Sequence, residues 1–170
     1  MSLSSVTSRT RARVHRAVVW MTTIATVVGS LGASLLTNVP LAYAHAPALS
    51  GGGPPDTQSF VPPDAIIDIT SDINLTAGTV TTSNVLLRVC SGADQTTATT
   101  ACGSSGSPTV GSQLCTSVAY SGDTARIISC EHAVLATDKW HDFRVTTGVT
   151  ASDSHAVAAD VVRRFKTSSF

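Results

Sequence analysis

Two short arrangements of histidine with an acidic or sulfur-containing residue are the main candidates for chemistry in this chain of 170 residues. Asp153 and His155 are separated by one residue, so in an extended strand their side chains point the same way, about 6.6 Å apart. Carboxylate and imidazole are both ligands of divalent copper or zinc. Cys130 and His132 have the same spacing, but a disulfide at Cys130 would remove the thiolate that a zinc site needs. The first pair is therefore the better metal-site candidate.

His45 is a third candidate because of where the chain is expected to be cut. A basic stretch is followed by the uncharged, largely apolar residues 17–36, and then by an Ala-Tyr-Ala sequence that ends at Ala44. We expect residues 1–44 to be a signal peptide that is cleaved after Ala44, which leaves His45 as the mature N-terminus. An uncleaved membrane anchor is the alternative, since about 20 apolar residues can span a bilayer. An N-terminal histidine offers a metal ion its ring nitrogen and its α-amine.

The charges of the chain divide at nearly the same place. Eleven basic and eleven acidic residues give a formal net charge of zero, but four arginines are the only charged residues before Asp56. The leader therefore has a charge of +4 and the remainder −4. An acidic remainder argues against nucleic acid or an anionic membrane surface as partner. We expect a secreted, extracellular or cell-envelope protein, with no membrane contact after cleavage, whose partner is an unidentified extracellular protein or glycan.

The exported part of the sequence predicts an all-β fold. Residues 45–56 (HAPALSGGGPPD) read as a flexible Gly/Pro-rich arm, and residues 57–170 as an antiparallel Ig-like β-sandwich of about seven short strands. Short apolar or β-branched runs bounded by turn residues predict strands at 65–70, 84–90, 113–120, 125–130, 140–147 and 157–165. In the strand that starts at Trp140, we expect Trp140 to pack inward and His141 to face solvent. The polar residues 91–108 are expected to form an exposed loop.

Four cysteines, all in the exported part, predict disulfides in an oxidising compartment. A turn at residues 121–124 would place Cys115 directly opposite Cys130, at nearly the separation that a disulfide needs. This pairing leaves Cys90 to bond with Cys102. Four cysteines allow three connectivities, and this one is favoured by the strand register.

Most of the exported part resembles the bacterial Ig-like domain of the SbsA (surface-layer) type. The matching segments are residues 61–69 (VPPDAIIDI), 79–87 (TVTTSNVLL), 135–140 (LATDKW), 143–150 (FRVTTGVT) and 158–167 (AADVVRRFKT). Ser154 and His155 stand where that family usually has Gly-Asn in a turn, and four cysteines are not typical of it. The resemblance implies a spacer or binding module of exported and surface proteins that has no catalytic activity.

The chain also resembles exported copper-binding proteins of the CopC type, small Ig-like sandwiches whose mature chains begin with histidine. In that family an Asp-x-His lies about ten residues after an aromatic residue, and here Phe143 precedes Asp153 by ten residues. Ala156 stands in place of the usual proline. The resemblance implies that His45, Asp153 and His155 bind Cu(II) non-catalytically through the tetragonal set of three nitrogens and one oxygen that suits this ion. A frayed terminus and a polar turn are the alternative interpretation.

Sequence motifs of enzymes are absent from the chain. It has no Gly-x-Ser-x-Gly, no His-Glu-x-x-His and no phosphate-binding glycine loop before a helix. Copper polysaccharide monooxygenases also begin with histidine, but they need a broad aromatic face that the exported part does not offer. We therefore expect a non-catalytic surface or extracellular module without a cofactor, and Cu(II) binding only in the alternative interpretation.

Overall fold

The computed structural model describes residues 45–169, so the predicted signal peptide at residues 1–44 lies outside the described residues. The described residues belong to one compact unit, Ala44–Phe170. No helix within residues 45–169 is long and apolar enough to cross a bilayer.

Short β-strands make up most of the regular structure between residues 45 and 169. They are β1 (Leu49–Ser50), β2 (Ile67–Ser71), β3 (Val85–Cys90), β4 (Gly103–Ser104), β5 (Ser107–Pro108), β6 (Val110–Gln113), β7 (Cys115–Ser121), β8 (Ile127–His132), β9 (Trp140–Val145) and β10 (Val161–Lys166). A single α-helix, α1 (Ala98–Cys102), and a 3-10 turn at Ala77–Thr79 complete the regular elements of this part of the chain.

Two four-stranded sheets form an antiparallel β-sandwich, as the sequence predicts. The strand order is β1-β2-β8-β7 in the first sheet and β10-β9-β3-β6 in the second, while β4 and β5 form a separate small hairpin. Every pair of neighbouring strands is antiparallel. The all-β fold class and the two disulfides are therefore confirmed.

The main core lies between the two sheets. Burial alternates along β2, where Ile67 and Ile69 are fully buried and Asp68 is not. These side chains pack in one cluster with residues of the second sheet, among them Leu87, Phe143, Val145 and Phe165. Full burial of such a side chain stabilises a fold by about 1.5–3 kcal/mol. The core therefore fixes which face of each strand points inward.

The segment predicted as a Gly/Pro-rich arm contributes a strand to the first sheet. Leu49 and Ser50 form β1 along the edge of β2. The Gly53 N–H donates to Asp68 Oδ1 at 2.6 Å, and the Asp68 N–H donates to the Gly53 carbonyl at 2.9 Å. Gly52 has a φ of 72°, and a side chain there would collide with Asp68. On the side of the arm, only backbone groups make these hydrogen bonds, which explains why its side-chain composition did not indicate them.

Both predicted disulfides are present, Cys90–Cys102 and Cys115–Cys130. The register from which the second was predicted is nevertheless wrong. Cys115 faces His132, and Cys130 faces Val118. The β7–β8 connection is longer than the predicted turn, and a bulge between Cys115 and Ser117 takes up one residue. The two cysteines are diagonal neighbours with Cα atoms 5.4 Å apart, within the disulfide range.

The residues predicted as an exposed loop instead fold into a small structured unit, which we call the excursion (residues 91–109). Its helix α1 begins with a capping box between Thr97 and Thr100. Ala101 and Cys102 are fully buried and form a second, smaller cluster with Trp140. A disulfide and small side chains build this cluster, so the excursion lacks the large apolar residues by which a core segment is usually recognised.

The excursion is attached to the start of β9 through Gln95. The Trp140 ring N–H donates to the Gln95 carbonyl at 3.0 Å, and the Trp140 backbone N–H donates to the Gln95 side-chain oxygen at 3.3 Å. Gln95 in turn donates to the carbonyl of Gly92 at 2.5 Å. A side chain at Gly92 would collide with the Ala101 carbonyl, so only glycine allows α1 to lie this close.

The predicted orientation of β9 is wrong for His141. The His141 side chain is fully buried in the main core, where its ring stacks on Phe165 with ring centres 5.3 Å apart. Trp140 is buried on the opposite face, beneath the excursion. His141 shares its face with Phe143 and Val145 by simple alternation. The prediction is wrong because it gave the inner face to tryptophan, the larger apolar residue. Both faces of this strand are covered, so the burial of Trp140 does not require the inner face.

Removal of each disulfide tests this division into a sandwich and an excursion. The disulfides link residues 12 and 15 positions apart, so replacing either pair by serine is expected to lower the free energy of unfolding by about 3 kcal/mol, measured by urea denaturation. The Cys90→Ser/Cys102→Ser protein should also be cleaved faster within the excursion under native proteolysis. Equal resistance of the excursion in both double variants would contradict the role assigned to Cys90–Cys102.

Candidate functional site

His45, the predicted N-terminal ligand, lies beside the loop that follows β2. Its Nε2 is 3.8 Å from Asp72 Oδ2, and its Nδ1 is 2.9 Å from the carbonyl of Ala46. Asp72 Oδ1 accepts a hydrogen bond from the Ala48 N–H at 2.9 Å. The neighbour of His45 is thus a carboxylate that the sequence did not associate with it.

Asp153 and His155, the other two predicted ligands, lie together in a turn. One oxygen of Asp153 is 3.2 Å from His155 Nδ1 and also accepts a hydrogen bond from the His155 N–H at 3.2 Å. This backbone hydrogen bond is the main reason that the pKa of Asp153 is lowered. Ser154 between them has a φ of 75°, so the segment is a turn and not the extended strand that the 6.6 Å spacing assumed.

The described residues do not gather the three predicted ligands into one group. Between residues 45 and 169, no three histidine, cysteine or acidic side chains lie where they could hold one metal ion. His45 is paired with Asp72, and Asp153 with His155. The copper-binding set therefore stays a prediction, and two of its three members are neighbours.

The strongest electrostatic feature of the structure is a buried charge cluster on the outer face of the second sheet. At its centre is Asp142, 1% exposed, on β9. One of its oxygens accepts a hydrogen bond from Arg144 Nε at 3.3 Å, and the other accepts one from Arg164 Nε at 3.1 Å. Arg144 and Arg164 are themselves buried. A single carboxylate therefore lies between two guanidinium groups, beneath the excursion.

The remaining donors of the two arginines connect the sheet to the excursion. Arg144 Nη2 donates to the carbonyl of Ser105 at 2.7 Å, and Arg164 Nη1 donates to the carbonyl of Gly103 at 2.7 Å. Arg144 Nη1 donates to Asp160 at 3.0 Å. A guanidinium group offers five N–H donors in a planar fork, which allows one side chain to bond a carboxylate and a backbone carbonyl together.

Arg144 keeps its positive charge within this cluster. Burial disfavours the charged form of Arg144, but its hydrogen bonds to Asp142 and Asp160 outweigh that effect and raise its pKa. An arginine with a raised pKa stays protonated at every physiological pH and cannot act as a general acid or base. The cluster is therefore suited to holding structure together and not to proton transfer.

A cavity of about 420 Å³ opens beside the charge cluster, between the excursion and β10. Asp56, Asp160 and Arg164 are among the residues that line it. Asp56 accepts a hydrogen bond from the Arg164 backbone N–H at 2.8 Å. Both oxygens of Asp160 accept hydrogen bonds, one from Arg144 and one from the Thr147 N–H. The two carboxylates of the lining are thus already engaged in bonds within the protein, whereas Arg164 Nη2 is buried without a hydrogen-bond partner among the described residues.

A second depression of about 410 Å³ lies between the start of β2 and the end of β8. Ile66 and Val134 line it, and both side chains are 76% exposed. Asp64 and Glu131 add two carboxylates to the lining, and His132 lines it as well. We call this depression the apolar groove. It combines large exposed apolar side chains with an acidic border.

His132, in the Cys-x-His arrangement, has no thiolate beside it. Cys130 is bonded to Cys115, and the two ring nitrogens of His132 lie 2.7 Å from the Ala133 carbonyl and 3.1 Å from the Ala65 carbonyl. The ring therefore bridges two backbone segments along the apolar groove.

The charge cluster was not predicted from the sequence. Asp142 and Arg144 share the face of β9 that holds Trp140, and that face was predicted to point into the core. The only available signal was a tryptophan in phase with the charged residues, since a tryptophan on an outer face indicates that something covers it.

No family model matches the sequence, and a search among curated proteins found no match either.

Substitution of Asp142 tests whether the cluster is structural. The Asp142→Ala change removes the one carboxylate partner of the buried Arg164 and one of the two partners of Arg144, and we expect it to lower the free energy of unfolding by about 3–5 kcal/mol in urea denaturation at pH 7. The matched control is Asp160→Ala, because Asp160 bonds the same arginine from a partly exposed position, and a loss of about 1 kcal/mol is expected there. Equal losses would contradict the central role of Asp142.

The buried ring of His141 makes stability depend on pH. Removal from water is the main cause that lowers its pKa to about 4, compared with about 6.5 in an unfolded chain. The unfolded state thus binds the proton at a higher pH than the folded state does. The stability that the neutral buried ring contributes is complete above pH 6.5 and is lost as the pH falls towards 4. We expect His141 to lower the free energy of unfolding by about 3 kcal/mol between pH 7 and pH 4.5. Urea denaturation of His141→Leu at the same two pH values should not show this decrease. Parallel losses in both proteins would show that other groups are responsible.

Proposed function

We propose that this chain is a non-catalytic secreted or cell-surface module, an Ig-like β-sandwich with a structural or binding role. The observation that carries the proposal is the use of the buried charges. Three charged side chains are buried within residues 45–169: Asp142 accepts hydrogen bonds from Arg144 and Arg164, and each arginine also donates to a backbone carbonyl of the excursion. Among these three side chains, only Arg164 Nη2 is buried without a hydrogen-bond partner in the described part of the chain, and a guanidinium group offers donors but no acceptor that could take a proton from a substrate.

The disulfides support export. All four cysteines are paired, and each bond joins segments that are close in the sequence, 12 and 15 positions apart. Disulfides persist in oxidising compartments and are rare in the cytosol. The resemblance to surface-layer Ig-like domains leads to the same location.

The apolar groove is the surface on which we place a binding role. Ile66 and Val134 offer exposed apolar area, and Asp64 and Glu131 give the border a negative charge. Such a surface suits an extracellular protein or glycan with apolar and neutral or basic groups. It disfavours nucleic acid and anionic lipid, which carry the same sign of charge.

A Cu(II)-binding role is the alternative, and one contact favours it. Asp153 and His155 are held 3.2 Å apart, so one carboxylate and one imidazole are already adjacent. His45 lies four residues before β1, and its pairing with Asp72 is a long contact at an exposed position. Copper binding would require His45 to leave Asp72 and to join the Asp153 turn through its ring and its free α-amine.

Analysis of the exported protein tests the proposed location. The proposal expects the chain in the medium or the cell-envelope fraction, with an N-terminus at His45 and no thiol that reacts before reduction. Recovery from the cytosol with reactive thiols would contradict it.

A copper titration separates the two functions. The exported protein is titrated with Cu(II) beside a form with one additional residue before His45 and beside Asp153→Asn. The structural or binding proposal expects weak and equal binding by all three proteins. Tight binding that is lost in the extended form and weakened by Asp153→Asn would instead establish the copper-binding function, because only that function needs the free α-amine and the carboxylate.

A further inference from the structure

The outer edge of β7 is the one long strand edge that the described residues leave unpaired. β7 has seven residues, Cys115–Ser121, and pairs only with β8. No backbone group within residues 45–169 bonds to its other edge. An unpaired row of N–H and C=O groups is a template for another strand.

The other sheet edges are covered or short. Along β10, the Thr57 N–H donates to the Arg164 carbonyl at 2.6 Å, and the Lys166 N–H donates to the Gln58 carbonyl at 2.8 Å. β1 has two residues, and β6 has four with a register shift against β3. Exposed edges of natural proteins are commonly protected by lysine, proline or shortness. β7 has none of these between Ser117 and Ser121, and its bulge, another protective feature, is confined to the start of the strand at Cys115–Ser117.

The sequence of this edge is suited to pairing with itself. After the bulge, residues 117–121 read Ser-Val-Ala-Tyr-Ser, with small side chains at the first, third and fifth positions. Ser117, Ala119 and Ser121 are exposed on the outer face. The stretch has no charge, so two copies related by a twofold axis would bring no like charges together.

The core is also incomplete at this edge. Val118 and Tyr120 point inward and are only partly buried against the main core. The Tyr120 side chain is held in place because its hydroxyl accepts a hydrogen bond from the Leu75 N–H at 2.8 Å. An antiparallel strand from a second copy, centred on Ala119, would place Val118 opposite Tyr120 of that copy. Aromatic and β-branched side chains form favourable pairs across strands.

We propose that β7 is a homodimer interface, at which two copies of this chain join their first sheets into one eight-stranded antiparallel sheet about a twofold axis at Ala119. We infer that the partner is a second copy because residues 117–121 are neutral and nearly symmetric about Ala119, so the strand can pair with its own copy. It contains no charged group by which it could select a different partner, and its outward side chains are too small to hinder a close approach.

Charge substitution on the proposed axis tests this pairing. The exported protein, with its N-terminus determined, is studied by sedimentation velocity over a range of concentrations at low salt. We expect a monomer–dimer equilibrium in the unsubstituted protein and in the neutral control Ala119→Thr. Ala119→Lys and Ala119→Asp should each raise the dimer dissociation constant about fivefold or more, because like charges then face each other across the axis.

A mixture of the two charged variants tests the register. If Ala119 faces its own copy, an equimolar mixture of Ala119→Lys and Ala119→Asp should form a heterodimer more tightly than either variant forms a homodimer. Circular dichroism of each variant confirms that the exposed substitution leaves the fold intact.

Four results would overturn the proposal. They are a monomer at all concentrations, a dimer that neither charge weakens, a mixture that does not recover dimerisation, and growth beyond the dimer, which would indicate open-ended edge pairing.

Discussion

One carboxylate, Asp142, holds the excursion and the second sheet together. It accepts a hydrogen bond from both Arg144 and Arg164, and each arginine uses another donor to bond a carbonyl of the excursion. Asp160 supplies a second carboxylate to Arg144. Without Asp142, the buried charge of Arg164 would lose its one carboxylate partner among the described residues, at a cost of several kcal/mol. The burial of Trp140 under α1 therefore depends on a polar contact. The Cys90–Cys102 disulfide fixes the chain at the other side of the same unit.

The two faces of β9 consequently have different physical origins of burial. His141 and Phe143 are buried by the main core of the sandwich, through apolar contact and ring stacking. Asp142 and Arg144 are buried by the polar residues of the excursion, where the carbonyl of Ser105 accepts a hydrogen bond from Arg144. A strand that is covered on both sides is rigid and has no face left for a ligand. The exposed features that could meet a partner therefore lie elsewhere, at the apolar groove and at the free edge of β7.

Prediction from the sequence succeeded where a local pattern determines the outcome. The strands around Ile67, Val85 and Phe143 were found because apolar residues alternate or cluster there. The disulfide pairs were predicted correctly, although a bulge and a longer loop changed the register on which one of them was based. The adjacency of Asp153 and His155 followed from their spacing, and the turn that joins them is the polar turn of the alternative interpretation. The contact of His45 with Asp72 joins residues 27 positions apart, and no periodic pattern encodes such a distance.

The sequence by itself determined an all-β fold for the exported part, because period-two alternation is a local property. It favoured the correct partners of the four cysteines, but on a strand register that the structure corrects. Only the tertiary structure decided that residues 91–109 cover a sheet, that Asp142 lies between two arginines, and that the face of His141 is the inner one. The physical reason is that hydrophobic alternation reports burial in an apolar core. Burial beneath a polar segment is stabilised by hydrogen bonds from arginines to backbone carbonyls. Because every residue type has the same backbone carbonyl, the sequence does not show which residues accept these bonds.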